Sequence, residues 1–209
     1  MKKIIIIGAG GNSKVIIDII LSRIELGEKI QIMGILDDDE NKKSLTDYPV
    51  LGPVSRISTF RENKEIYFVN GVGDNHTRKR IYETYSIEQY YTAVHPSAII
   101  GSRVTIEQGC VIMAGVIINA DCSIGKQALI NTGAIIEHDN RIGAFAHVAS
   151  GAVTAGNVTI GECSMLGTGT KVIQGISIGS CVMIGAGAVV IGDIRDNATA
   201  VGVPARIIK

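Results

Sequence analysis

Three consecutive ionisable residues, Glu137, His138 and Asp139, interrupt a stretch of chain that is otherwise rich in aliphatic residues and glycine. An imidazole beside a carboxylate suits a general base, because the carboxylate holds one tautomer and raises the basicity of the ring. Gly156 follows His138 by 18 residues, and its backbone N–H could face a developing oxyanion. These residues predict a catalytic site with His138 as the base; the alternative is a solvated surface histidine without a role.

A second histidine, His147, lies nine residues beyond His138. It could bind a substrate, or it could be a packed histidine at an interface. Two histidines also raise the question of zinc, which takes three or four protein ligands. His76 and His95 are too far along the chain to join the other two, so a third ligand is missing and we predict no metal site.

A glycine-rich segment, Gly8-Ala9-Gly10-Gly11-Asn12-Ser13, follows an apolar run at the start of the chain. Such a turn between a strand and a helix exposes backbone N–H groups beside a helix N-terminus, where a phosphate binds well. Asp37 follows a second apolar run, at a position where a carboxylate commonly meets a ribose hydroxyl. The segment therefore indicates a nucleotide or nucleotide-sugar site; a dinucleotide site and a tight turn that binds nothing are the alternatives.

The first ninety residues alternate between strand and helix patterns, which predicts a small parallel sheet with ligands at the carboxyl ends of its strands. We expect strands at Lys3–Ile7, Gln31–Leu36 and Glu65–Asn70, and helices at Ser13–Leu26 and Asn75–Tyr85. A small basic cluster in the second helix could be a solvated face or could lie near an anionic ligand; its members are His76, Arg78, Lys79 and Arg80.

From Val94 to Val190 an aliphatic residue recurs every six positions, and Thr154 is the one exception among seventeen. A period of six fits neither a helix nor a simple alternating strand. It fits short strands joined by tight turns, three hexads to a triangular coil, with glycines serving the turns. The sequence therefore predicts two domains: residues 1–92, a small Rossmann-like α/β domain, and residues 93–209, an all-β domain of stacked coils.

Composition excludes several classes of protein. The 209 residues carry 20 Lys+Arg and 20 Asp+Glu, and this zero net charge argues against nucleic acid as a partner. No run of about 18 apolar residues occurs, so we expect neither a transmembrane helix nor a membrane partner. Four cysteines without Cys-x-x-Cys spacing, and no recognisable export signal, favour reduced thiols in a cytoplasmic protein.

Taken together, the motifs cover nearly the whole chain and resemble the sialic acid O-acyltransferase family of bacterial sugar acetyltransferases. This family includes enzymes that N-acetylate UDP-linked 4-amino-4,6-dideoxy sugars such as bacillosamine precursors. The hexads resemble the left-handed parallel β-helix of hexapeptide-repeat acyltransferases, and the resemblance supplies their hand. The motifs that carry it are the Gly-rich loop, Asp37-Asp38, Gly71-Val72-Gly73-Asp74-Asn75, His95-Pro96, the hexads, Asn131-Thr132, Glu137-His138-Asp139, Ala155-Gly156-Asn157 and Gly202-Val203-Pro204-Ala205.

The resemblance implies acetyl-CoA as the donor, no metal, and a homotrimer with active sites between adjacent subunits. His138 looks like the general base, Asp139 like the carboxylate that orients it, and Gly156 like the oxyanion N–H. The implied substrate-binding residues are Gly8, Gly10, Gly11, Asn12, Asp37, Asp38, Gly73 and Asn131. The implied acetyl-CoA-binding residues are His147, Gly156, Gly167, Gly185 and Pro204.

The acceptor stays open at this point. Many members of the nucleotide-sugar branch have a histidine just after the Gly-rich loop, where this chain has Asn12. The first expectation is N-acetylation of the 4-amino group of a UDP-linked 4-amino-4,6-dideoxy sugar in surface-glycan synthesis. The alternatives are O-acetylation of sialic acid or its CMP form, a non-catalytic β-helix binding protein, and an NAD-binding protein built on the Gly-rich loop.

Overall fold

The computed structural model describes residues 1–209, which form two compact units, Met1–Pro96 and Ser97–Lys209. The first unit holds a five-stranded sheet in the order β3-β4-β2-β1-β5, parallel except for the short hairpin of β3 and β4. Its elements are β1 (Lys2–Ile7), α1 (Gly11–Glu25), β2 (Ile30–Leu36), β3 (Ser44–Leu45), β4 (Tyr48–Gly52), a 3-10 turn (Val54–Arg56), α2 (Ile57–Phe60), β5 (Ile66–Asn70), α3 (Asn75–Tyr85) and β6 (Ala93–Val94).

The central strand β1 explains why this sheet forms. Its isoleucines at 4–7 are completely buried, as expected for a parallel strand covered on both faces. Helix α1 covers the sheet with a buried stripe that includes Ile16 and Ile20. The helix begins at Gly11 rather than at the predicted Ser13, because the Ser13 hydroxyl donates back to the Gly8 carbonyl and closes a tighter turn. None of the helices is both long and apolar enough to cross a membrane.

The loops after β1, β2 and β5 meet at one edge of this sheet. The N–H of Gly8 donates to the carbonyl of Leu36 at 2.7 Å, and the N–H of Gly71 donates to that of Ile7 at 2.8 Å. The guanidinium of Arg78 donates to the carbonyls of Val72 and Gly73 at 3.0 and 3.2 Å. Arg78 is fully buried, so the expected solvated basic face does not include it.

The second unit is a three-sided prism of two-residue strands, which we describe by its faces. Face 1 contains β7 (Ile99–Ile100), β10 (Ile117–Ile118), β13 (Ile135–Ile136), β16 (Val153–Thr154), β19 (Lys171–Val172) and β22 (Val189–Val190). Face 2 contains β8 (Thr105–Ile106), β11 (Ser123–Ile124), β14 (Arg141–Ile142), β17 (Thr159–Ile160) and β20 (Ser177–Ile178). Face 3 contains β9 (Val111–Ile112), β12 (Leu129–Ile130), β15 (His147–Val148), β18 (Met165–Leu166), β21 (Met183–Ile184), β23 (Thr199–Val201) and β24 (Arg206–Ile207).

Each strand pairs in parallel with the strand 18 residues along the chain, as in Ile118 with Ile136. The second residue of each strand points inward, and Ile118, Ile136 and Ile142 show the depth of that column with at most 3% of their surface exposed. Thr154 occupies the same column and is also buried. The predicted architecture, an α/β domain followed by a left-handed parallel β-helix, is confirmed.

The four-residue corners between faces use glycine for two reasons. The third residue of a corner has a positive φ, as at Asp139 (61°) and Gly133 (67°). The glycines that follow the repeated aliphatic residue have a different purpose, contrary to the expectation that they serve the turns. A Cβ at Gly125 or Gly143 would lie 2.6 Å from a backbone nitrogen of the next coil, so these glycines allow the coils to stack.

Candidate functional site

His138 lies at the corner between faces 1 and 2, which we call the acidic corner (residues 137–140 and the equivalent residues of the other coils). Its Nδ1 is 2.7 Å from Oδ2 of Asp139, and both side chains are 57% exposed. The inward direction of Ile136 forces the corner that follows it outward, as predicted. Because Nδ1 faces the carboxylate, Nε2 is the ring nitrogen that remains for a reacting group.

Gly156 lies directly beneath the imidazole in the next coil. A Cβ at this position would be 2.5 Å from Cε1 and 2.7 Å from Nε2 of His138. The ring therefore rests where a side chain would stand, which gives glycine a steric reason at this position. The N–H groups of Ala155 and Asn157 donate to Val172 and His138, whereas that of Gly156 joins no hydrogen bond between the coils.

Other polar groups of the acidic corner surround the His138–Asp139 pair. Glu137 accepts a hydrogen bond from the Asn119 amide at 2.8 Å. One coil below Asp139, Asp121 receives two hydrogen bonds from Arg103, at 2.5 and 2.6 Å. These bonds lower the pKa of the Asp121 carboxyl. A groove of about 430 Å³ runs along this corner and is lined by Arg103, Thr105, Asp121, Cys122, Ser123, Asp139, Arg141 and Asn157.

Asn131 and His147 come together elsewhere on the prism. The Asn131 amide nitrogen is 3.4 Å from Nε2 of His147, and its amide oxygen accepts from the Ser150 hydroxyl at 3.1 Å. His147 is the outward residue of β15 on face 3, and only 7% of its surface is exposed. In a three-sided prism the corner between faces 1 and 2 stands opposite face 3. One chain therefore keeps His138 and His147 apart.

The other residues expected to bind acetyl-CoA lie at the corner between faces 3 and 1 and in the C-terminal segment. Gly167 and Gly185 occupy the same position in successive coils of that corner. A Cβ at Gly167 would be 2.6 Å from the nitrogen of Ala186, and one at Gly185 would be 2.8 Å from the Val201 side chain, so both glycines are also needed for stacking. Pro204 is exposed in the turn between β23 and β24.

A pocket of about 430 Å³ opens at the edge where the loops of the first unit meet. We call it the loop pocket. It contains six of the predicted substrate-binding residues and one cation that the sequence analysis did not identify. Its lining is Gly8, Ala9, Gly10, Gly11, Asn12, Asp37, Lys42, Gly71, Val72 and Gly73.

Asp37 ties two of these loops together. One carboxylate oxygen accepts from the N–H of Ala9 at 2.5 Å and the other from the N–H of Asp39 at 2.9 Å. Lys42 Nζ lies 3.5 Å from both oxygens. Burial alone would raise the pKa of Asp37, but these hydrogen bonds and the lysine charge outweigh it and lower the pKa. The carboxylate is therefore ionised and already partly satisfied before any ligand binds.

Asp38 has a different partner from the one the sequence suggested. Its carboxylate accepts a hydrogen bond from the N–H of Val54 at 2.8 Å and anchors the 3-10 turn, and Asp38 is absent from the lining of the loop pocket. Sequence reasoning also missed Lys42, although its place five residues after Asp37 in a charged loop was a signal for it. No group of three His, Cys, Asp or Glu side chains in the structure could hold a metal ion.

Comparison with known proteins adds independent information. Residues 3–85 match the family model described as the PglD N-terminal domain. Over 117 residues the chain is 38% identical to a UDP-N-acetylbacillosamine N-acetyltransferase of Bacillus subtilis (strain 168). That alignment covers 54% of this chain and 52% of the B. subtilis protein, so it spans about half the length of this curated relative.

Two solved structures are similar over the full chain. A histidine-to-asparagine variant of perosamine N-acetyltransferase from Caulobacter crescentus, in complex with CoA and GDP-perosamine, has a TM-score of 0.91 at 36% identity. It covers all of this chain and 98% of its own. The acetyltransferase domain of PglB from Neisseria gonorrhoeae, in complex with acetyl coenzyme A, has a TM-score of 0.89 at 33% identity and covers 99% of each chain.

Proposed function

Because the chain belongs to the hexapeptide-repeat family of bacterial sugar acetyltransferases, we propose that it moves an acetyl group from acetyl-CoA to the 4-amino group of a nucleotide-linked 4-amino-4,6-dideoxy sugar. The observation that carries this proposal is the exposed His138, held 2.7 Å from Asp139 and resting on Gly156. An amine acceptor and a thioester donor need a base and an oxyanion donor, and no redox group or metal.

His138 acts as the general base in this proposal. Asp139 accepts the Nδ1 proton, so Nε2 removes a proton from the acceptor amine as its nitrogen forms a bond to the carbonyl carbon. The N–H of Gly156 donates to the carbonyl oxygen as negative charge develops there. The carbon–sulfur bond then breaks, and the proton passes from His138 to the leaving sulfur, so that CoA departs as a thiol.

No covalent enzyme intermediate is part of this proposal. The four cysteines are free, and three of them are buried. Burial raises the pKa of the Cys122 thiol, which lies nearest to the acidic corner in sequence position. A raised pKa disfavours the thiolate that nucleophilic catalysis would require. Free thiols also suit the cytoplasm, where we place the enzyme together with its proposed substrates.

The loop pocket is the proposed site for the nucleotide part of the acceptor. Its glycines leave backbone N–H groups beside the N-terminus of α1, and Lys42 adds a positive charge at the rim. A Cβ at Gly10 or Gly11 would meet nothing within 4 Å, so the space above them is open to a ligand. We therefore expect Gly10→Ala to fold normally and to raise the KM for the nucleotide sugar while the KM for acetyl-CoA stays unchanged.

A homotrimer completes the site in this proposal. His138 and His147 stand at opposite sides of one prism, so a site that uses both requires a neighbouring copy. Face 1 offers a surface for that copy, since most of its outward residues are aliphatic. They are Ile99, Ile117, Ile135, Val153, Lys171 and Val189, whereas face 2 presents Thr105, Ser123, Arg141, Thr159 and Ser177. A flat apolar face on a three-sided prism suits cyclic packing.

The shared site has a direct test. Trimers of His138→Ala and trimers of His147→Ala should each be nearly inactive. Unfolding the two together and refolding them as a mixture should recover about a quarter of wild-type activity, because that fraction of interfaces combines two intact histidines in a random cyclic assembly. No recovery from correctly sized trimers would place both residues in a site within one subunit, or remove His147 from it.

The acceptor is tested by following free thiol release from acetyl-CoA in parallel reactions. One set contains UDP- and GDP-linked 4-amino-4,6-dideoxy sugars, and the other contains sialic acid and its CMP form. Turnover on an amino sugar, with amide formation shown by mass spectrometry, supports the proposal and shows that Asn12 is compatible with it. Turnover on sialic acid alone would overturn the N-acetyl assignment, and no turnover with any acceptor would overturn acetyl transfer to these sugars.

A further inference from the structure

The fourth residue of each corner points into the prism, and this interior column is composed mostly of small or aliphatic residues. At the acidic corner the column contains Val104, Cys122, Asn140, Val158 and Ile176. Asn140 is its one amide, and the side chain is completely buried. A buried amide among aliphatic neighbours must find hydrogen-bond partners or cost stability.

The small polar residues of this column share one contact. Each donates to the carbonyl of the residue 15 positions ahead, in the next coil. The distances are 3.1 Å for Cys110 to Gly125, 3.0 Å for Cys122 to Glu137, 2.6 Å for Ser164 to Gly179 and 3.3 Å for Thr170 to Gly185. Asn140 makes the same contact with Ala155 at 2.8 Å. A single thiol or hydroxyl is therefore enough to link one coil to the next.

Asn140 makes two further contacts that a thiol or hydroxyl at this position could not add. Its amide nitrogen also donates to the carbonyls of Glu137 at 2.6 Å and His138 at 3.2 Å. The first carbonyl belongs to the peptide group before the His138 Cα, and the second to the peptide group after it. One side chain thus holds both peptide planes that set the direction of the His138 side chain.

The arrangement has a cost to the fold. The Asn140 amide oxygen is buried and accepts no hydrogen bond. A buried unpaired oxygen is unfavourable, and a cysteine, serine or valine would avoid it. The rest of the column uses such residues, so coil stacking alone does not explain an asparagine at the one corner where an imidazole must be aimed.

We propose that Asn140 is a positioning residue that fixes the direction of the His138 imidazole through the two peptide groups on either side of it. This inference rests on the proposed function, because it assigns His138 the role of base. Asn140 touches no reacting atom. It acts through the backbone, and the second anchor of that backbone is the N–H of Asn157, which donates to the His138 carbonyl at 2.9 Å.

The test replaces Asn140 with the residue that the column uses elsewhere. Asn140→Ser keeps one donor for the contact with Ala155 and loses the contacts with both peptide groups. We expect the variant to assemble and melt at or above the wild-type temperature, with kcat reduced about 10- to 100-fold and the KM for acetyl-CoA unchanged. The matched control, Ser164→Ala, removes the coil contact with Gly179 and should lower the melting temperature while kcat stays at the wild-type value.

A second measurement does not depend on turnover. In the crystal structure of Asn140→Ser, the imidazole of His138 should leave its place over Gly156, and the 2.7 Å contact with Asp139 should be lost. Wild-type kcat in a folded Asn140→Ser enzyme, or an unmoved imidazole in its crystal structure, would overturn the inference. If the serine variant does not fold, Asn140→Cys, which copies Cys122 of the coil below, is read by the same two measurements. An inactive wild-type protein would count against the proposed function, while the position of the imidazole would still decide this inference.

Discussion

Two corners of the prism have the same backbone and different side chains. At the corner between faces 3 and 1, the third position is glycine in every coil: Gly115, Gly133, Gly151, Gly169 and Gly187, with φ between 64° and 70°. At the acidic corner the same position has Arg103, Asp121, Asp139, Asn157 and Gly175, with φ between 55° and 75°. Left-handed backbone costs a residue with a side chain about 1–2 kcal/mol, less for Asp and Asn.

The difference shows what the prism supplies to a catalytic site. Hydrogen bonds between successive coils fix the backbone at both corners, so the side chain at a corner is not needed to make the turn. The glycine corner has the lower strain. The acidic corner accepts strain and gains a charged column next to His138. If this interpretation is right, changes at the acidic corner should alter activity more than stability, and changes at the glycine corner should do the reverse.

The largest effect is expected from removing the imidazole. His138→Ala should lower kcat at least a hundredfold, since a general base typically contributes 10²–10⁴-fold. Steady-state thiol release measures kcat, and light scattering checks assembly. Ser102→Ala is the matched control, because Ser102 occupies the same corner position two coils earlier and is exposed. Near wild-type kcat for His138→Ala in intact assemblies would remove His138 from the base role.

Gly156→Ala should have the next largest effect. The new methyl group would lie 2.5 Å from Cε1 of His138 and would displace the ring, so we expect kcat to fall about 10- to 100-fold. Gly192→Ala is the control, because a Cβ there meets nothing within 4 Å. A double-mutant cycle measured by thermal unfolding sharpens the test.

In that cycle, Gly156→Ala should destabilise the wild-type protein, because a packed ring must move. In the His138→Ala background the nearest neighbours of the methyl are gone, and the same change should be neutral or stabilise by about 0.4–1 kcal/mol through the unfolded chain. Equal destabilisation in both backgrounds would show that the methyl strikes something other than the imidazole.

An exchange of residues between the two corners should have a smaller effect on activity. Asp139→Gly should reduce kcat about tenfold by releasing Nδ1 of His138, and should leave stability unchanged or raise it by up to about 1 kcal/mol. Gly115→Asp makes the opposite change at the glycine corner. It should lower stability by about 1 kcal/mol and leave kcat unchanged. Reversed results, with stability lost at Asp139 and activity lost at Gly115, would break the comparison between the corners.

The sequence predicted the faces of the prism better than its corners. The six-residue period identifies the inward column, because burial depends only on which residues are apolar. It could not assign the glycines, since a glycine needed for stacking, such as Gly143, and one needed for a positive φ, such as Gly133, look alike in sequence. The resting place of the His138 ring over Gly156 depends on a rotamer and on contact across 18 residues, which spacing alone does not show.

The first unit teaches the same lesson from loops. Adjacent aspartates at 37 and 38 were both expected to bind substrate, but successive residues point in different directions. Asp37 lines the loop pocket and Asp38 anchors the 3-10 turn. Arg78 was expected in an exposed or ligand-binding cluster, because three neighbours in sequence are also basic. It is instead buried, where its guanidinium holds backbone carbonyls that no sequence pattern identifies.

The smallest effect is expected from Arg103→Ala, which removes the ion pair with Asp121 at the acidic corner. Both side chains are exposed, so the pair should add little to stability in spite of its two short hydrogen bonds. Arg103 lowers the pKa of Asp121 in the folded state, so its contribution is present above the unfolded pKa of about 3.9 and is lost as the pH falls through the folded value. The melting temperature of Arg103→Ala should therefore be slightly below wild type at pH 7, and equal to it at pH 3 or in 1 M salt. A decrease of the same size under all three conditions would mean that Arg103 stabilises the corner by packing, and the charged column would then belong to the fold as much as to the site.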